Sequence, residues 1–195
     1  MQASGIVVFA RSSESRTRLL PAFTENRAAK RFIAVVHGRP SWKQADCDLP
    51  LVPNGNKLHK TIIDKYRGKH AYTHFQVLTQ AGNYTVLEAV PQTDCVHQIR
   101  VHLCAMGHPL VCDSLYGSLK AVYLSSFKHN WHGDPLEERP LLARLGLHAL
   151  ELTLPDVPPL TAPLTQDMKA VITQIEKRSG QQLDGDLLAR ADRHK

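Results

Sequence analysis

Two hydrophobic periods share this chain. Gly5-Ile6-Val7-Val8-Phe9-Ala10 is a short continuous apolar run and reads as a buried strand. Lys30 to Gly38 is rich in β-branched residues and stops at Gly38 and Pro40, which predicts another strand. From Ala71 to Gln80 the positions alternate, with Thr73, Phe75 and Val77 opposite Tyr72, His74 and Gln76. Asn83 to Val90 alternates likewise, and Ala81-Gly82 between them predicts an antiparallel hairpin. Leu145 to Leu154 returns as a strand ended by Pro155.

Helical spacing occupies three other places. Ser12 or Ser13 caps a helix through about Asn26, with Leu19, Leu20 and Phe23 inward and Pro21 interrupting it. Val96, Ile99, Leu103 and Met106 form a second apolar stripe, with Asp94 as N-cap and Gly107 then Pro109 as the stop. Gln166 to Lys177 turns Met168, Val171, Ile172 and Ile175 inward. Residues 41–70 read as short strands and loops, and residues 118–140 as an inserted loop with a helical turn or two. Short turns between most strands, with a few helices, predict an α+β domain over residues 1–178 and a polar, flexible tail over 179–195.

On the second helix His97, Arg100 and Cys104 share the face beside the apolar stripe. An imidazole and a guanidinium are thus mounted on a rigid element against a core, as site residues commonly are. Spacing alone favours the plainer reading, in which Arg100 is solvated or paired with a carboxylate.

Composition changes the picture in one respect. At 195 residues, with 43% hydrophobic and 22% charged positions, the chain has an ordinary globular make-up and can build its own core. The apolar run from Ile6 to Ala10 is too short for a signal-peptide core or a membrane span, so a cytoplasmic protein is expected. Cys47, Cys95, Cys104 and Cys112 show no zinc-type spacing and are expected as reduced thiols. His97, His102, His108, Cys104 and Cys112 crowd together in sequence, but a helix spreads them over several faces, so no metal is expected. The charge is the informative part. Residues 1–43 hold eight basic and two acidic side chains, while the remainder is balanced at sixteen of each. That asymmetry predicts a phosphate-contacting surface and RNA as the first candidate partner.

Several motifs in order give the chemistry. His97-Gln98-Ile99-Arg100-Val101-His102, then Gly107-His108-Pro109, then Asp113-Ser114-Leu115-Tyr116-Gly117, resemble the signature of RluA-type pseudouridine synthases. Residues 1–10 resemble the segment after that family's His-Arg-Leu-Asp. Lys30 to Gly38 is similar to its Lys-x-Tyr-x-Ala-x-Val-x-Gly strand, Arg144 to Leu150 to its Arg-Leu-x-Leu-His-Ala strand, and Thr161 to Leu164 to its closing motif.

The resemblance implies a pseudouridine synthase-like fold: a mixed, mainly antiparallel sheet with flanking helices. It implies isomerisation of uridine in ribosomal or transfer RNA without a cofactor, by a monomer. Residue by residue, Arg100 would form the ion pair that positions the catalytic aspartate, and Phe32 would stack on the flipped uracil. His97 and Leu147 would line the same pocket. Lys30, Arg31, Arg27 and Arg18 would lie along the RNA backbone.

The chain also departs from the pattern. The family's nucleophilic aspartate would fall immediately before Met1, so this sequence contains no catalytic acid and the first part of the domain is expected upstream. Phe32 stands where tyrosine is usual, Asp94-Cys95-Val96 where Gly-Arg-Thr or Gly-Arg-Ser is usual, and Cys112 where glycine is usual. The alternative reading is a catalytically inactive RNA-binding module on the same fold.

Overall fold

The computed structural model describes residues 3–128 and 130–183. In order, the elements are β1 (Ser4–Gly5), α1 (Ser13–Thr24), β2 (Ala29–His37), β3 (Gln44–Asp48), β4 (Leu51–Val52), β5 (Ile62–Ile63), β6 (Tyr72–Ala81), β7 (Tyr84–Pro91), α2 (Gln98–Ala105), β8 (Leu147–Leu154), β9 (Val157–Thr161) and α3 (Gln166–Ser179). Seven described strands form one sheet in the order β1-β8-β2-β7-β6-β3, with β9 also on β8; β4 and β5 form a separate two-stranded arm. Only β1 with β8 is parallel; the other pairs are antiparallel. The fold is α+β with a mixed, mainly antiparallel sheet.

β2 explains the two-sided core. It lies between β7 and β8, so both its edges are paired, and its two faces are covered by α3 and α2, which is why Phe32 to Val36 runs without a polar residue. Ile33 and Val35 point to the face covered by α3, where Met168, Val171, Ile172 and Ile175 are all buried. Burying four such side chains contributes roughly 6–12 kcal/mol before entropy is subtracted. Ala34 and Val36 point to the other face, with Phe75, Leu87, Ile99 and Leu103 under α2. The hairpin β6–β7 turns at Gly82, whose φ of +58° suits glycine; Ala81 belongs to the strand.

Three expectations are corrected. The run Ile6 to Ala10 is not a strand: β1 contains only Ser4 and Gly5, and Val7 and Phe9 are 70% and 81% exposed. Gly5, at φ +105° and so close to β8 that a Cβ would strike the Ala149 backbone, turns the chain out of the ladder after one more bond, Ile6 N–H to Ala149 O. From Glu151 onward the same edge of β8 is taken by β9. Ile6 and Val8 still pack, on Leu152 and Leu154. In α1, capped by Ser12, Leu19 and Phe23 pack inward but Leu20 is 45% exposed.

The third correction is α2, which begins at Gln98. Its N-cap is His97 in the left-handed region at φ 59°, with no side-chain cap bond. Asp94 pairs with Lys30 instead, and Val96 is exposed rather than part of the stripe. β9 is an element the pattern did not suggest, because Pro158 and Pro159 sit within it; prolines are tolerated there because the strand lies at the rim of the sheet. The loop 118–140 contains one short 3-10 turn, Leu124–Ser126. Of the expected tail, Ser179 ends α3 and residues 184–195 lie outside the described residues.

Candidate functional site

A cavity of about 470 Å³ opens between α2 and the near face of β2 and β8. That size is within the range usual for small-molecule sites. Its walls include Phe32, Leu145, Leu147, Ile99, His97, Arg100, Lys30 and Asp94, with Ala3 at the edge. The strand register makes the space. Phe32 lies opposite Ala89 on β7 and Ala149 on β8, and directly opposed residues point to one face. Two alanines beside one phenylalanine leave part of the ring facing the cavity where larger residues would fill the volume.

Arg100 is held from behind. Its Nε and Nη2 donate to Asp113 Oδ2 and Oδ1 at 2.9 and 2.6 Å. Asp113 has a fully buried side chain and also accepts the N–H groups of Leu115 and Tyr116. Burial pushes this carboxyl up, but Arg100 and the two backbone donors together outweigh it and hold the group below the usual carboxylate range. The expected partner of Arg100 was an aspartate ahead of Met1; the described partner is Asp113. This two-point grip fixes the guanidinium plane where it lines the cavity.

Tyr116 is the hub of the site. The predicted shared face of His97, Arg100 and Cys104 converges on it: His97 Nδ1 is 3.0 Å from the phenol oxygen, the Arg100 guanidinium lies 4.9 Å over the ring, and the Cys104 thiol donates to the Tyr116 carbonyl. The Thr61 N–H also donates to the phenol oxygen. With the phenol proton directed to His97 Nδ1, the neutral His97 ring carries its own proton on Nε2. Burial first, and Arg100 second, lower the His97 pKa, so the ring is neutral at pH 7. The left-handed His97 backbone costs roughly 1–2 kcal/mol and is kept in place by these contacts.

A buried polar network anchors the start of α2. Gln98 Nε2 donates to the Tyr72 carbonyl and to Thr73 Oγ1, both at 3.0 Å, and its Oε1 accepts from Thr93. His102, fully buried, lies between Thr73 Oγ1 and the Leu49 carbonyl. The four thiols are free, and burial raises all of them, Cys47 to about 11, so none is a ready nucleophile. Among the described residues no cluster could hold a metal ion.

The residues expected on RNA are dispersed. Lys30 reaches the cavity mouth. Arg31 does not: it sits within the sheet, between Glu88 at 2.5 Å and Glu151 at 2.9 Å, and is corrected to a structural ion pair. Arg27 pairs with Glu25 on the surface, and Arg18 is exposed on α1 beside a shallow groove shared with Arg27 and Asp156. Charge counting by quarters missed a second basic surface. The arm around β4 and β5 carries Lys57, Lys60, Lys65, Arg67 and Lys69 against Asp64. The arm is docked on the site: Thr61 donates to the Val96 carbonyl, and the Lys60 ammonium reaches the Leu115 carbonyl beside the Tyr116 ring. Tyr116 and Asp113 were visible only as part of a motif.

Comparison with known proteins places the chain in a family. The RNA pseudouridylate synthase family model matches residues 1–105. The chain belongs to that family. It is 33% identical over 121 residues to the ribosomal large subunit pseudouridine synthase D of Zymomonas mobilis, covering 62% of this chain and 38% of that protein. It is 32% identical over 155 residues to the dual-specificity RNA pseudouridine synthase RluA of Haemophilus influenzae, covering 79% of this chain and 63% of that protein. The chain therefore spans between about two fifths and two thirds of these relatives. In fold it is similar to human RNA pseudouridylate synthase domain containing 1, with a TM-score of 0.63 at 21% identity over 95% of this chain and 74% of that one.

Proposed function

We propose that this protein isomerises uridine to pseudouridine in structured RNA, ribosomal or transfer. The observation that carries the reading is the cavity itself: a Phe32 ring on its wall and a guanidinium fixed by Asp113, in a chain of this family. The reaction exchanges the C1′–N1 bond of one nucleotide for a C1′–C5 bond; the C5 hydrogen leaves as a proton and N1, freed from the sugar, takes one up. Nothing is oxidised or reduced, so the balance requires no cofactor.

A base must leave its stack before this bond is reached. In the proposed complex Phe32 stacks on the uracil, worth roughly 1–3 kcal/mol. Leu145 and Leu147 exclude water beside it, and His97 offers Nε2–H to a polar edge. The attacking carboxylate would be the aspartate of the family pattern, whose place in that pattern adjoins residues 1–10, and Ala3 of that segment lines the cavity. Lys30, the arm's lysines and Arg18 follow the phosphates. No described helix is long and apolar enough to cross a membrane, and four free thiols suit the reducing cytoplasm in which we place the protein.

The test uses the protein purified from its native source and RNA tritiated at uridine C5. Isomerisation releases tritium to water, and Phe32→Ala weakens RNA binding by about 5- to 150-fold, the equivalent of one lost stacking contact. Intact mass of the same preparation shows whether an aspartate precedes Met1. Absence of tritium release from a preparation with that aspartate overturns the assignment.

A further inference from the structure

Lys30 and Asp94 both line the cavity, one at the start of β2 and the other in the loop that joins β7 to α2. Lys30 Nζ and Asp94 Oδ2 meet at 2.9 Å, so the pair forms part of the cavity wall. We infer that this pair is an exchangeable latch: Asp94 occupies Lys30 in the free protein, and an RNA phosphate must displace the carboxylate to reach the ammonium. The inference rests on the RNA reading above and adds a selectivity element to it.

The two partners are unequally held. The Lys30 side chain is 14% exposed and lies 5.8 Å from the Phe23 ring of α1, whereas the Asp94 side chain is 50% exposed. Among the described residues no other hydrogen bond or ion pair retains the Asp94 carboxylate, which caps no helix. Of the two, Asp94 is the one that can swing away. The other cation of the cavity behaves oppositely. Arg100 is gripped at two points by a carboxylate with no exposed surface, itself tied to two backbone donors. The cavity thus has one locked pair and one open pair.

Chemistry favours an exchange at the open pair. A half-exposed ion pair is weak and screened by salt. Lysine is a point-like donor that serves a carboxylate or a phosphate oxygen equally well. An isolated anion gains little by replacing Asp94. A polyanion already resting on Arg18 and the arm brings its phosphate at high local concentration, so the latch opens for RNA in preference to free nucleotides.

The latch makes Asp94 a brake on RNA affinity that works through Lys30. The test is fluorescence anisotropy with a labelled uridine-containing stem-loop RNA at fixed salt. The proteins are the full chain, Asp94→Asn, Lys30→Met, the double variant, and Glu14→Gln as a control for loss of an exposed acid on the basic helix. Asp94→Asn is expected to bind about 3- to 10-fold tighter, Lys30→Met weaker by a similar factor, and Glu14→Gln less than about 2-fold tighter, as single phosphate contacts scale. On the Lys30→Met background the Asp94 change is expected to do nothing, because contacting residues are not additive. Lys30→Gln replaces Lys30→Met if that variant fails to fold.

An Asp94→Asn gain no larger than that of Glu14→Gln, or a gain that persists without Lys30, overturns the latch and leaves the RNA assignment standing. Failure of both the native chain and Asp94→Asn to bind RNA overturns the assignment and the latch together.

Discussion

α2 and α3 lie on opposite faces of one sheet and hold to it by different means. α3 runs from Gln166 to Ser179, turns four large apolar residues inward and ends in Gly180 at φ 72°. A guanidinium grips its first turn: Arg144 donates twice to Asp167 at 2.7 Å and once to Thr165. α2 has only eight residues and no side-chain cap, and its buried set includes Gln98 and His102. Apolar burial is forgiving of small displacements, whereas a chain of hydrogen bonds has one geometry. The polar attachment of α2 therefore fixes the rotation of the helix, and with it the aim of His97 and Arg100. α3 supplies stability; α2 supplies position.

That contrast can be broken most severely at Asp113. Asp113→Ala leaves a mostly buried guanidinium unpaired and should cost about 3–5 kcal/mol of unfolding free energy, with loss of RNA binding and turnover. On the other face Ile172→Ala should cost about 2–5 kcal/mol through a cavity, measured by denaturant unfolding, while RNA affinity in the folded fraction stays unchanged. Should Ile172→Ala shift affinity as strongly as Asp113→Ala, the division of labour is wrong. Gln98→Ala removes the link from α2 to Tyr72, Thr73 and Thr93 and should cost about 1–3 kcal/mol. Turnover should fall by more than that loss of stability explains.

The gentlest perturbation is acid. Burial lowers the pKa of both His102 and His148, whose rings are 0% and 1% exposed. The unfolded chain takes up these protons near pH 6.5 and the folded chain only below it, so stability is complete above about 6.5 and declines as pH falls. Below about 4 the depressed carboxyl of Asp113 adds a second decline, since the unfolded carboxyl is protonated before the folded one. Asp113→Asn should shrink that lower limb to the share of the other depressed carboxyls, Asp167 foremost, and keep the upper one, as followed by thermal unfolding across pH.

Most of the frame was legible because local pattern and tertiary outcome agree. β2, the β6–β7 hairpin, β8 and α3 each have a period that their neighbours confirm. Leu20 apart, the misreadings involve a partner distant in sequence. Val7 and Phe9 look buried until β9 is found on the edge of β8 they would have needed. Asp94 looks like a cap until Lys30 arrives from another strand. Arg31 looks like a phosphate ligand until Glu88 and Glu151 flank it, one from each neighbouring strand. The site followed the same rule: spacing placed His97, Arg100 and Cys104 on one face, but their common target, Tyr116, lies on the loop after the helix.

β1 has a consequence for how the protein comes into being. Its ladder partner is on β8, with Ser4 and His148 separated by 144 positions and joined through hydroxyl and imidazole at 2.9 Å. Translation at roughly 5–20 residues per second leaves the first strand waiting about 7–30 s for its mate to be synthesised. The cavity, walled by Ala3 before β1 and by Leu145 and Leu147 at the start of β8, cannot exist on the ribosome before then. A nascent chain stalled anywhere before β8 would carry basic surface and would leave Ile6 and Val8 without their cover on Leu152 and Leu154, but would have no site.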